Sequence, residues 1–185
     1  QGKERFMNRL ELCLLILLAP ASDSLHAAEA HHPNLLFVLV DQMRGQALGF
    51  LNEDPVLTPR LDRFAKEALV LPNAVSNYPV CSPYRAMLMT GRYPHSNGVL
   101  SNCNTNGAKH GYELRESARC WSDVLRDKGY SLGYIGKWHL EAPREPYVEP
   151  PRPWDGNVWD EFTPPERRHG FDFWYSYGAF DSHLH

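Results

Sequence analysis

The chain has 185 residues, 43% of them hydrophobic, which is enough for one domain with a core of its own. Its 22 acidic and 19 basic side chains leave a formal net charge of −3, which excludes the basic footprint of a nucleic-acid binder. No internal repeat is present.

At the N-terminus Met7 reads as the start, with "QGKERF" before it as upstream sequence. Arg9 and the apolar run "LCLLILLAP" at 12–20 fit a signal-peptide core, and the run is too short to span a bilayer as a helix. Ala28 and Ala30 place small residues at the −3 and −1 positions of a cleavage site. That leaves His31 as the mature N-terminus, with His32 in a solvated tail. Residues 1–30 are therefore expected to be upstream residues plus a signal peptide. The product would be exported, periplasmic or extracellular, with no integral membrane span in the mature chain. Cys81, Cys103 and Cys120 remain, an odd number that leaves at least one unpaired. Cys103 and Cys120 either pair or stay as two buried thiols, and no CxxC suggests structural zinc.

"PNLLFVLVD" at 33–41 has the continuous apolar pattern of a parallel strand buried on both faces. "TPRLDRFAKEAL" at 58–69 predicts a helix with Thr58 at the N-cap, Pro59 at the first turn and an apolar face of Leu61, Phe64, Ala65, Ala68 and Leu69. A short strand is expected over 70–76. A helix follows over 82–91, stopped by Gly91, with Cys81 just ahead of it. "SARCWSDVLRDKG" at 117–129 predicts an amphipathic helix, and "YSLGYIGKW" at 130–138 a strand. This alternation implies an α/β fold with a mostly parallel central sheet flanked by helices. From about 141 the chain turns proline-rich and aperiodic and reads as a long surface excursion. Trp138, Trp154, Trp159 and Trp174 read mainly as core, with a sugar-binding surface as the alternative.

Three polar groups fall where strands end or helices begin, the edge at which parallel α/β sheets bind ligands. Asp41 and Gln42 offer hard oxygen donors suited to Ca²⁺ or Mg²⁺, although Asp41 alone would read as a turn cap. Lys137 and His139, two apart on an extended segment, face one way and supply a cation and a proton carrier. Cys81 sits at a helix N-terminus, which favours anions. Cys81 and Arg85 are spaced C-x3-R, not the C-x5-R of a thiolate phosphatase loop, and Pro83 removes an amide donor. Taken alone, Cys81 reads as a structural thiol.

"CSPYRAMLMTGRYPHSNGV" closely resembles the C-x-P-x-R…T-G-R signature of type I sulfatases, in the alkaline-phosphatase superfamily. "PNLLFVLVDQMRGQALG" resembles that family's opening strand and metal-binding acid, "GYSLGYIGKWHL" its G-K-W-H-L motif, and "HGFDFWYSYGAF" its continuation. The resemblance implies an alkaline-phosphatase/sulfatase-like fold, incomplete in this chain, with 31–185 as the N-terminal part of the catalytic domain. The later metal ligands of the family would lie beyond residue 185. It implies a sulfuric ester hydrolase in which a formylglycine-generating (sulfatase-maturating) enzyme oxidises Cys81 to Cα-formylglycine, with Pro83 and Arg85 as its recognition elements. The hydrated aldehyde carries two hydroxyls, one to attack sulfur and one to expel sulfate, which a thiol cannot do. By position Asp41 matches a ligand of Ca²⁺ (Mg²⁺ as an alternative), with Cys81 at the same metal. Gln42 stands where many relatives have a second aspartate. Arg85 would hold the formylglycine, Lys137 would grip a sulfate oxygen, and His139 would orient a formylglycine hydroxyl or assist its deprotonation. Tyr84 replaces a small hydroxyl residue. His183 and His185 are candidate substrate contacts, with surface residues as the alternative. The implied substrate is a sulfated carbohydrate or an aryl sulfate. The competing readings are a phosphonate monoester or phosphodiester hydrolase of the same superfamily, and a non-catalytic module that binds sulfated glycans.

Overall fold

The computed structural model describes residues 32–145, 147–148, 159–160, 162–176 and 178. It divides into two units, Gln1–Val40 and Asp41–His185. In the first unit residues 32–40 form no strand, and Leu36 is 91% exposed. This departs from the buried strand expected over 33–41. A strand buried on both faces takes its ladder bonds and apolar cover from neighbours, and no described strand pairs with this one.

The second unit begins with a 3₁₀ turn at Gly49–Leu51 and helix α1 at Pro59–Ala65. Proline's fixed φ suits the first helical position, and Thr58 joins the two pieces. Its hydroxyl accepts the Gly49 N–H at 2.7 Å and donates to Asp62 at 2.6 Å, while Asp62 also accepts the Phe50 N–H at 3.0 Å. Thr58 thus ties turn to helix and makes no cap bond to α1 itself. The helix ends four residues short of Leu69, with Leu61 and Phe64 exposed, and the strand expected over 70–76 does not form.

Helix α2, Cys81–Thr90, starts at Cys81 itself instead of one residue later. Pro83 lies in the first turn, where a missing N–H costs no intrahelical bond. Gly91 closes the helix at φ 67, its N–H donating to the Met87 carbonyl at 2.8 Å. Ser82 anchors the start: its N–H donates to Asn102 Oδ1 at 3.2 Å and its hydroxyl accepts the Cys103 N–H at 3.0 Å. Two single-turn helices not foreseen from the sequence follow, α3 (Pro94–Asn97) and α4 (Thr105–Ala108), the latter capped by Asn104 on the Gly107 N–H at 2.8 Å.

Helix α5, Trp121–Asp127, begins four residues after the expected start because Cys120 and Asp123 form a reciprocal cap across its first turn. Strand β1, Gly133–Ile135, pairs in parallel with β4, Phe173–Tyr175, in the register Gly133↔Phe173. Between them β2 (Tyr147–Val148) and β3 (Trp159–Asp160) form a short antiparallel pair. The stretch beyond 141 is more than a surface excursion, because Glu141, Thr163, His169 and Phe171 are buried. Glu113 grips it through Arg144 at 2.8 Å and Arg167 at 3.2 Å.

The core gathers Ala86 and Met89 of α2, Val99, Cys103, Leu114 and Cys120 with Trp138, Leu140 and Phe171. Trp138 and Trp174 belong to this packing, whereas Trp154 lies outside the described residues. Cys103 and Cys120 are free and buried, so they take the second of the two expected forms, and burial pushes both thiols up to about 12. No helix among the described residues is long and apolar enough to cross a membrane.

A Cβ on Gly107 would sit 2.2 Å from the Asn102 carbonyl oxygen, so Gly107→Ala has to displace the loop that anchors α2. We expect a loss of about 1–3 kcal/mol in chemical denaturation, the usual scale for overpacking.

Candidate active site

The N-terminus of α2 and the turn after β1 bring four of the residues singled out above together. Asp41 is the hub. Its Oδ1 lies 3.2 Å from Arg85 Nη2 and its Oδ2 accepts from Lys137 Nζ at 3.0 Å. Lys137 Nζ also approaches Cys81 Sγ at 3.5 Å. Arg85, one turn beyond Cys81, donates from Nη1 to the Lys137 carbonyl at 2.6 Å. The Arg85 and Lys137 side chains are each 8% exposed, whereas Asp41 is 38% exposed and opens the cluster to solvent. Partial burial pushes the Asp41 carboxyl up, but the hydrogen bond and charge of Lys137 and the charge of Arg85 outweigh it. The carboxyl is held below its ordinary value of 3.8.

His139 is buried at 1% exposure and in the left-handed region at φ 54. Desolvation, reinforced by the charges of Lys137 and Arg85, lowers its pKa to about 3, so its ring is neutral at physiological pH. Its backbone N–H donates to the Gly178 carbonyl at 3.2 Å, and its ring hydrogen-bonds to the Cys103 backbone. Gln42 follows Asp41 in the chain at φ 59, exposed, and makes no side-chain hydrogen bond among the described residues. His183 and His185 lie outside the described residues.

The donors at this edge are one carboxylate and one free amide oxygen, both hard ligands that fit Ca²⁺ or Mg²⁺. They fill only part of the roughly six to eight positions that Ca²⁺ takes. A second group with metal-ligand chemistry, Cys120, Asp123 and His169, has another explanation. The Cys120 N–H donates to Asp123 at 2.9 Å and Cys120 caps α5 in return, while His169 Nδ1 lies 3.2 Å from the Ala118 carbonyl. These contacts make it a capping cluster.

Sequence reading missed Ser82, Asn102 and Tyr134. Ser82 and Asn102 fix the α2 N-terminus, and Tyr134 donates from its hydroxyl to the Lys137 carbonyl at 2.5 Å. The only prior signal was a serine in the first turn of a helix, the position where such residues serve as caps.

The family model Sulfatase matches residues 33–183. An endo-4-O-sulfatase of Bacteroides thetaiotaomicron is 46% identical over 175 residues, which cover 85% of this chain and 33% of the relative. An ulvan-active sulfatase of Formosa agariphila is 40% identical over 146 residues, 79% of this chain and 24% of the relative. Human N-acetylgalactosamine-6-sulfatase is 35% identical over 160 residues, 81% and 27%. The crystal structure of the sulfatase-type protein yidJ from Bacteroides fragilis superposes with a TM-score of 0.75 at 54% identity, covering 80% of this chain and 32% of that one. The fold is therefore the α/β arrangement of sulfatases, of which this chain spans about a third of the length.

Asp41→Asn leaves Arg85 and Lys137 without their counter-charge. We expect a loss of about 1–3 kcal/mol in denaturant titration, the scale for an unpaired buried group, reduced by solvent at the open side. His139 sets a pH dependence of stability. Its folded pKa of about 3 lies below its ordinary 6.5, so between these values the unfolded state binds more protons. Its contribution is complete above pH 6.5 and is lost as pH falls, by up to about 1.4 kcal/mol per unit. Urea titrations from pH 7 to 5 should show a shallower decline in His139→Gln than in the parent, with the residual slope owed partly to His169, whose pKa is also lowered, chiefly by burial.

Proposed function

Because this chain belongs to the sulfatase family, we propose that the protein hydrolyses sulfate esters at the cluster built on Asp41, with residue 81 as the nucleophile position. The observation that carries this reading is the convergence of Lys137 on both Asp41 and Cys81, which sets a cation beside the reacting position. On this reading Cys81 is oxidised to Cα-formylglycine by a sulfatase-maturating enzyme, and the aldehyde hydrate offers one hydroxyl for attack on sulfur and another to release sulfate. Asp41 and Gln42, with residue 81, would hold a divalent cation, Ca²⁺ or Mg²⁺. When bound, such a cation supplies Lewis acidity at the nucleophile.

The chain's own groups divide the remaining work. Lys137 Nζ binds a sulfate oxygen and keeps residue 81 aimed at it. Arg85 locks the geometry from beneath by spanning Asp41 and the Lys137 carbonyl. His139, with a pKa near 3, is a weak base, so it orients a hydroxyl by hydrogen bonding and is poorly suited to remove its proton. Burial of Arg85 and Lys137 strengthens their electrostatic hold on an anion.

Sulfated carbohydrate is the favoured substrate class, since relatives are named for ulvan and for N-acetylgalactosamine sulfate. The apolar run at 12–20 and the small residues Ala28 and Ala30 support export as the setting in which maturation and polysaccharide degradation occur.

Mass spectrometry of the tryptic peptide ending at Arg85 tests the first step: an aldehyde at residue 81 is expected, and an unmodified thiol from a maturation-competent host counts against the reading. Turnover of an aryl sulfate in preference to phenyl phosphonate by the full-length protein is expected, and the reverse preference would favour the phosphonate hydrolase. Cys81→Ala should abolish turnover, and loss of sulfatase activity after chelation would tie the reaction to the cation.

A further inference from the structure

Tyr134 lies at the centre of β1, three residues before Lys137, and its side chain has two separable parts. The ring stacks on Trp174 with centroids 5.0 Å apart and meets Trp138 and Phe171 edge-on at 5.2 Å each. The hydroxyl donates to the Lys137 carbonyl at 2.5 Å, and the same oxygen accepts from Arg85 Nη1 at 2.6 Å. A carbonyl oxygen has two lone pairs, and here both are engaged. Arg85 Nε is buried with no hydrogen-bond partner among the described residues, and the guanidinium meets Asp41, this carbonyl and the Tyr134 hydroxyl itself. Lys137 also sends its own ammonium to Asp41 and Cys81. The peptide oxygen that binds Arg85 thus belongs to the residue whose ammonium reaches Asp41 and Cys81.

We propose that Tyr134 is a positioning residue for the sulfate-ester site, its hydroxyl fixing the Lys137 carbonyl and through it the guanidinium of Arg85 and the approach of Lys137 to residue 81. This rests on the function proposed above. Aromatic packing alone does not call for a hydroxyl, because phenylalanine would fill the same stack. The hydroxyl is also a dependable donor, since burial pushes it above its ordinary value of 10 against the opposing pull of Arg85.

The test uses the full-length protein co-produced with a maturating enzyme, with rates on an aryl sulfate normalised to the aldehyde fraction at residue 81. Tyr134→Phe keeps the ring and removes the bond. Its kcat per aldehyde should fall about tenfold with KM within about twofold, because the lost contact acts on geometry in the transition state. Tyr134→Leu, which also removes the ring, should melt lower still with no larger loss of kcat. A Tyr134→Phe protein with kcat per aldehyde within about twofold of wild type overturns the inference, whatever its melting temperature. One too unstable to purify does so as well, since the hydroxyl would then be structural. A wild-type protein that carries the aldehyde and turns over no sulfate overturns the functional reading, and the inference with it.

Discussion

A single carboxylate balances two cations that are almost wholly removed from water. Arg85 comes from α2, one turn in from its start, and Lys137 from the turn after β1, and both reach Asp41 at the head of the second unit. Two buried positive charges would repel strongly at low dielectric, so these segments hold this arrangement only while Asp41 stays ionised between them. The sum is also chemically directive. One negative against two positive groups, with His139 neutral, leaves one net positive charge among these side chains, which favours an anion. Gln42, next to Asp41 in the chain, is neutral and keeps that balance positive.

Legibility from the sequence was uneven for physical reasons. Helix α2 could be read closely because its signals are local: a Ser-Pro start, a continuous helical run and a glycine that tolerates φ 67. The meeting of Cys81, Arg85 and Lys137 was legible only as three clusters at one sheet edge, since contacts across 52 and 56 residues leave no periodic trace. The 33–41 segment shows the converse. Its apolar pattern states what the chain would bury, while strand formation needs partners, and none of the described strands supplies them. Strand β4 was missed because "FWY" is three residues long and earns its pairing from β1, with Asp172 holding the Leu132 N–H at 3.0 Å. The surface reading of the segment beyond 141 failed for a related reason: its proline-rich text hides the ion pairs that Glu113 offers from a distance.

Two of the site positions, Gln42 and His139, have positive φ, a conformation that side chains with a Cβ rarely adopt. Both occur within two residues of a charged member of the cluster. The Asp41 and Lys137 contacts, the tight turn at Gly136 and the bond from His139 to Gly178 together hold a backbone that would otherwise relax. Such local strain is the cost of aiming consecutive side chains at one point.

The two buried thiols have a consequence for redox selectivity. With pKa values near 12, Cys103 and Cys120 carry almost no thiolate at neutral pH, and thiolate is the form that oxidants and disulfides attack. Burial shields their sulfur atoms as well. In an oxidising compartment both would stay inert without being paired, leaving Cys81, which is only partly covered, as the described thiol open to reagents. Among the described cysteines, burial thereby protects Cys103 and Cys120 from mispairing and from overoxidation, and leaves thiol chemistry to Cys81.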